Sequence, residues 1–161
     1  MPGSFERMLQ LVNEFFDTRN HPDQISVTEK DRNHLAQIHP ATLSEYADEA
    51  GPIVWILMIP TLKDIMMRFV SGEITEQQLL DETPEGVKYD SIYLSSASVL
   101  PEYRRKGLAK RVTVDAIKRI REDNPVTSLF YWPFSEEGKA LASAVAREVG
   151  LPLYMRGEHQ N

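Results

Sequence analysis

The chain contains no cysteine among its 161 residues. Disulfides, thiolate nucleophiles and cysteine metal sites are therefore excluded together. Long apolar runs are missing too. The longest is Ile53 to Ile59, whereas a membrane-spanning helix needs about 20 residues. Neither GxxxxGK[ST] nor GxGxxG occurs, which argues against a Walker-type NTPase and a Rossmann dinucleotide enzyme. The first residues, Met1-Pro2-Gly3-Ser4-Phe5-Glu6, lack the basic start and apolar stretch of a secretory signal. A cytoplasmic protein with no membrane partner is the expectation. Histidines are few, and His21, His34, His39 and His159 show no metal-ligand spacing, so no metal is expected.

What is present is ordinary globular usage: 42% hydrophobic and 26% charged residues. The length suits one domain spanning 1–161. Net charge is −6, but its distribution is uneven. Eight of the 18 Lys and Arg fall between Arg104 and Arg121, where Asp115 is the only acid. An acidic protein with one basic segment suggests a small, local polyanion as ligand. A run of like charge also suits a plain solvated helix face. The negative total, and the lack of aromatics among these basic residues, argue against nucleic acid as partner.

Periodicity gives the coarse fold. Phe5, Met8, Leu9, Val12, Phe15 and Phe16 predict an amphipathic helix at about 4–18, whose stripe suits core packing or a homodimer face. Ile25 to Val27 reads as a short strand. Thr28 and Asp31 suit the start of a helix running toward Ile38, and a second short helix is expected at about 42–49. Ile53 to Ile59, apolar on both faces, reads as a central strand. Pro60 and Thr61 then open a helix through Val70, and Thr75 to Asp81 form another. Ser91 to Val99 is a strand, Gly107 to about Glu122 a helix, and Ser128 to Trp132 a strand. Ser135 caps a helix that ends at Gly150, and Leu153 to Met155 is a last strand. Helices separating strands predict an α/β fold around a mixed sheet.

The chemistry concentrates where the strand ending at Val99 feeds a loop and then a helix beginning at Gly107. Free backbone N–H groups at a helix start, with the positive end of its dipole, bind phosphates. Gly107 permits close approach of the backbone, Ala109 keeps the wall small, and Arg104, Arg105 and Lys106 supply charge around the rim.

The stretch Val99-x-Pro101-x-Tyr103-Arg104-Arg105-Lys106-Gly107-Leu108-Ala109 resembles the acetyl-CoA signature of the GNAT superfamily of N-acetyltransferases. Its (Q/R)-x-x-G-x-(G/A) pattern is carried here by Arg104, Gly107 and Ala109. The resemblance covers about Asp90 to Tyr154. It implies a three-layer α/β fold, with a mixed, mostly antiparallel sheet flanked by helices. It also implies acetyl-CoA as co-substrate and a small-molecule or peptide amine as acceptor, which attacks the thioester directly. Backbone N–H groups of Arg105, Lys106, Gly107, Leu108 and Ala109 would hold the pyrophosphate. The pantetheine arm would pair with Ala97 and Val99 between splayed strands, and an N–H near Val99 would polarise the thioester carbonyl.

Departures from the family are also visible. Its usual helix asparagine falls on Lys139 here, and its proton-donating tyrosine falls on Ala146. Tyr131 is the candidate replacement, with Tyr154 second, and no spacing selects a base among Asp90, Tyr93 and Ser95. The segment between the strands at 53–59 and 91–99 reads as helical where the family usually has a hairpin. The alternative function is an acyl-CoA-binding or regulatory domain without catalysis.

Overall fold

The computed structural model describes residues 29–104, 106–133 and 136–156. The expected helix at 4–18, the strand at 25–27, and Thr28, Arg105 and Ser135 lie outside the described residues.

Helix α1 (Glu29–Ile38) ends where His39 precedes Pro40, and Pro40–Thr42 form a single 3-10 turn. His39 caps that turn. Its Nδ1 accepts the Ala41 N–H at 3.0 Å, and its Nε2 lies 3.0 Å from Asp123 Oδ2. Strand β1 (Leu43–Asp48) follows, then β2 (Gly51–Thr61), α2 (Lys63–Val70), α3 (Glu76–Glu82) and β3 (Ser91–Val99). A 3-10 turn at Pro101–Tyr103 leads to α4 (Leu108–Asp123), β4 (Ser128–Tyr131), α5 (Glu136–Val149) and β5 (Leu153–Met155).

Two sequence expectations are corrected. Residues 42–49 do not form a helix: 43–48 are β1, antiparallel to β2 with Leu43 opposite Leu57 and Tyr46 opposite Val54. Five of the six β1 residues are exposed, so no apolar periodicity marks the strand. Its pairing with β2 decides the conformation over local propensity. The turn back to Gly51 is built locally, as Asp48 Oδ1 accepts the Ala50 N–H at 2.8 Å. Pro60 and Thr61 do not open a helix either. They extend β2, opposite Ile92 and Ser91, and α2 starts only after Leu62.

The other elements arise for local reasons. Thr75 and Gln78 form a reciprocal capping box at the start of α3. Gly150 ends α5 in the left-handed region at φ 72°.

The sheet order is β1-β2-β3-β4-β5. The two pairings among β1, β2 and β3 are antiparallel and longer; β3–β4 and β4–β5 are parallel. This is an α/β protein with a mixed, open, five-stranded sheet. One core joins Leu35, Ile65, Met66, Phe69 and Leu79 of α1–α3 to Ile59, Tyr93 and Phe130 of the sheet. At its centre Tyr93 stacks on Phe130 at 5.1 Å and meets the Phe69 ring edge-on at 4.8 Å. The other core joins Val114, Ile117 and Ile120 of α4 and Val145 of α5 to Ile56, Met58, Ile92 and Leu129. Alternation along the strands thus feeds two separate cores.

Strands β3 and β4 are tied together at their N-terminal ends. Ser91 Oγ and Ser128 Oγ lie 3.0 Å apart in the buried interior. The Asp90 carbonyl accepts the Thr127 N–H at 2.9 Å, and the Asp90 N–H donates to Thr61 at 3.2 Å. The loop before β3 is fixed by Asn124, which is 8% exposed. Its Oδ1 accepts the Tyr89 N–H at 3.0 Å, and its Nδ2 donates to the Ile120 carbonyl at 3.0 Å. Asn124→Ala strips the buried Tyr89 N–H of that acceptor. Stability should fall by about 1–3 kcal/mol in denaturant titration, and a much smaller loss would mean that water replaces the amide.

Candidate functional site

The site begins where two strands part. Strand β3 pairs with β4 only over Ser91–Leu94, opposite Ser128–Tyr131. It then continues for five residues, Ser95 to Val99, paired only with β2 on its other side. Strand β4 ends at Tyr131, and its pairing with β3 ends there too, two residues before Pro133. A register shift adds to the parting. Leu57 faces Ser96 and Met58 faces Leu94, which leaves Ser95 as the extra residue of a bulge.

The gap is the mouth of a cavity of about 630 Å³ between β3, the end of β4, the start of α4 and α5. One end is apolar, with Leu57, Met58, Leu94, Tyr131 and Trp132. The other reaches Tyr103, Arg104, Gly107, Leu108 and Ala109. The five-residue stretch of β3 between them spans about 17 Å at the usual strand rise. The cavity is therefore long, greasy at one end and fitted with a helix start at the other.

Gly107 is the N-cap of α4, with φ 74° and ψ 11°. Residues with a Cβ avoid that left-handed conformation, and glycine does not. A Cβ added there would meet no atom of the protein within 4 Å, so the space outside Gly107 is open. The Gly107 carbonyl accepts the Arg111 N–H at 3.0 Å, closing the first helical turn. The N–H groups of Leu108, Ala109 and Lys110 precede that bond, as free donors at a helix start do. Tyr103 fixes the turn, packing on the α4–α5 core and donating to Asp48 Oδ2 of β1 at 3.3 Å.

Among the described residues, the charged groups lining the cavity are Arg104 and Lys110 near the helix start and Glu137 on α5. Arg104 is folded back, with its Nε donating to the Val99 carbonyl at 3.1 Å. That carbonyl keeps a second lone pair. Lys110 lies 3.3 Å from Glu148 in an exposed pair, worth little in water. Lys106 is exposed on the turn outside the cavity lining.

The structure gathers most of the residues singled out from sequence. Ala97, Val99, Arg104, Gly107, Leu108, Ala109 and Tyr131 all line the one cavity. Tyr131 is 6% exposed, and its hydroxyl donates to the Met155 thioether, a weak acceptor, at 3.3 Å. Tyr154 is exposed and outside the cavity lining. Of the possible bases only Ser95 lines the cavity. Asp90 sits at the tied ends of the strands, and the Tyr93 hydroxyl is buried on the Glu76 carboxylate. His34 lies between Glu85 and the Leu80 carbonyl, and His39 has its place in the 3-10 cap.

Sequence reading missed Trp132, Leu57, Met58 and Glu137. The available signal was Pro133, since proline is seldom found inside a sheet and so bounds the strand before it. Among the described residues no helix is long and apolar enough to cross a membrane, and no three His, Asp or Glu side chains are grouped to hold a metal ion.

The chain matches no family model, no curated protein and no solved structure at a significant level. The class defined by the fold is thus an α/β protein whose open sheet carries a cleft between two parting parallel strands.

Gly107→Ala should cost about 1–2 kcal/mol in thermal or denaturant unfolding, from backbone handedness alone, since the new methyl touches nothing. Gly107→Asn should recover part of it, because asparagine tolerates the left-handed region. Equal stability of Gly107→Ala and the native chain would show that the turn relaxes freely.

Proposed function

We propose that the chain is an acetyl-CoA-dependent N-acetyltransferase of the GNAT type, acting on an amine in the cytoplasm. The observation that carries the reading is the single cavity joining the gap between β3 and β4 to the left-handed glycine at the start of α4. That shape suits a molecule with a pyrophosphate at one end and an extended amide arm at the other. The signature residues Arg104, Gly107 and Ala109 line its end at the start of α4.

In this reading the N–H groups of Leu108 and Ala109, with the α4 dipole behind them, hold the pyrophosphate. Arg104 adds a partly solvated charge. The arm lies along Ser95 to Val99 and adds to the exposed side of β3 by backbone pairing. The thioester then reaches the bulge at Ser95, near Tyr131 and Trp132. The lone pair of a neutral amine attacks the carbonyl carbon, a backbone N–H of β3 stabilises the oxyanion, and the C–S bond breaks. The thiolate takes a proton, for which Tyr131 is the phenol at hand, and the amine nitrogen gives its proton to water or a base.

A specific observation favours a second reading, an acyl-CoA-binding domain without catalysis. Helix α5 offers no phenol to the cavity: Ala146 is buried in the core and Lys139 is exposed. Release of free CoA on mixing acetyl-CoA with an amine panel separates the two.

Acetyl-CoA at 100 times its dissociation constant should stabilise the fold by about 2.7 kcal/mol, seen as a raised Tm. Gly107→Val should abolish that shift, because its branched Cβ fills the space the phosphates need. Arg104→Ala should lower affinity by only about 1 kcal/mol, as for a solvated charge. No shift and no calorimetric heat with the native chain would refute both readings.

Tyr131→Phe keeps the ring and removes the proton. Turnover should fall at least about tenfold, the low side of general acid contributions, with acetyl-CoA affinity little changed. Unchanged turnover would assign Tyr131 to packing and the proton to water.

A further inference from the structure

We infer that Trp132, held rigid by Arg156 and Phe69, is the wall that restricts the acyl group of the donor to a short chain. The inference rests on the acyl-CoA reading of the cavity and adds to it the class of thioester accepted.

The position of Trp132 follows from the sheet. Tyr131 is the last β4 residue paired with β3, so Trp132 stands at the apex of the gap, at the end of the cavity remote from Gly107. With phosphates at Gly107 and the arm along β3, whatever extends beyond the thioester meets this apex. Leu57, Met58, Leu94 and Tyr131 line the same cavity, so its lining there is apolar and suits an alkyl chain.

Entry depends on whether the indole can move, and three observations say it is fixed. The Arg156 guanidinium carbon lies 4.3 Å from the Trp132 ring centre. The same guanidinium lies 4.4 Å from the Phe69 ring centre, and the Phe69 and Trp132 rings meet edge-on at 6.1 Å. Arg156 is itself anchored. It is 8% exposed, Nη1 donates to the Ile74 carbonyl at 2.8 Å, and its N–H donates to the Tyr131 carbonyl at 3.0 Å. A cation desolvated against two aromatic faces, with its guanidinium tied to one backbone carbonyl and its main chain to another, is a stiff support. The indole therefore keeps its place, and a longer acyl chain has to displace it or fold back toward solvent.

Without the wall, each methylene that enters the apolar end should tighten binding by about fourfold. The test is calorimetric titration of CoA, acetyl-CoA and hexanoyl-CoA into the full chain and four variants, with Tm recorded for each. The native chain should bind CoA and acetyl-CoA alike, and hexanoyl-CoA at least tenfold more weakly than acetyl-CoA. Trp132→Ala should bind hexanoyl-CoA at least tenfold more tightly than the native chain does, at unchanged affinity for CoA. Trp132→Phe, a smaller change that preserves an aromatic on Arg156, should lie between. Arg156→Met leaves the indole in place but loosens it, and should give part of the gain. Arg156→Lys retains the cation and should stay near the native pattern.

Equal affinity of the native chain for acetyl-CoA and hexanoyl-CoA would overturn the inference and leave the proposed function standing. So would variants of Trp132 that bind CoA normally yet show no gain for hexanoyl-CoA. Failure of the native chain to bind CoA at all would overturn the proposed function, and this inference with it.

Discussion

The architecture around the site depends on a mismatch of strand lengths. Strand β3 has nine residues and its parallel neighbour β4 has four. Both start together, fastened by the Ser91–Ser128 hydroxyl pair and by the Asp90–Thr127 backbone bond. Strand β4 then ends at Tyr131, while β3 runs on to Val99. Backbone polar groups left without a neighbour must meet water or a ligand. The cleft is therefore the necessary result of pairing a long strand with a short one inside a sheet otherwise covered by helices. A β4 of full length would close the cavity and leave a solid core.

The two cores make that opening durable. Phe130 and Tyr93 belong to the core under α1–α3, and Leu129 and Ile92 to the core under α4 and α5. Each tied residue pair of β3 and β4 is thus held from both faces, while the untied part of β3 relies on β2. Strand β2 is well suited to that duty. Its residues from Ile53 to Thr61 are nearly all buried, and it pairs with a strand on each side. The start of α4 is placed by the same frame, because the turn preceding it is pinned to β1 through Tyr103 and to the end of β3 through Arg104.

Much of this was legible in the sequence, and the exceptions have physical reasons. Strand β3 matches Ser91–Val99 as read, and the stop at Gly150 falls where turn chemistry places it. These features are set by a few neighbouring residues. Gly107 was read for its missing Cβ at a helix start, whereas its left-handed backbone emerges only in the structure. Strand β1 was not. Leu43-Ser44-Glu45-Tyr46-Ala47-Asp48 is an exposed edge, and only its pairing with β2 makes it a strand. The apex of the cleft was read in half: Tyr131 was found as a replacement for the tyrosine missing at Ala146, while the role of Trp132 depends on Phe69, Ile74 and Arg156. No local pattern announces a wall built from three distant parts of the chain.

The Arg156–Ile74 bond joins residues 82 positions apart. Contacts of such separation form late, since much chain entropy is lost before they return anything. In a chain made from its N-terminus, β2 and β3 can pair, and α4 can fold on them, well before Arg156 has been added. The floor of the cleft and its end at the start of α4 can thus exist in a nascent chain whose far wall is still loose. Completion of the cleft therefore waits for Arg156.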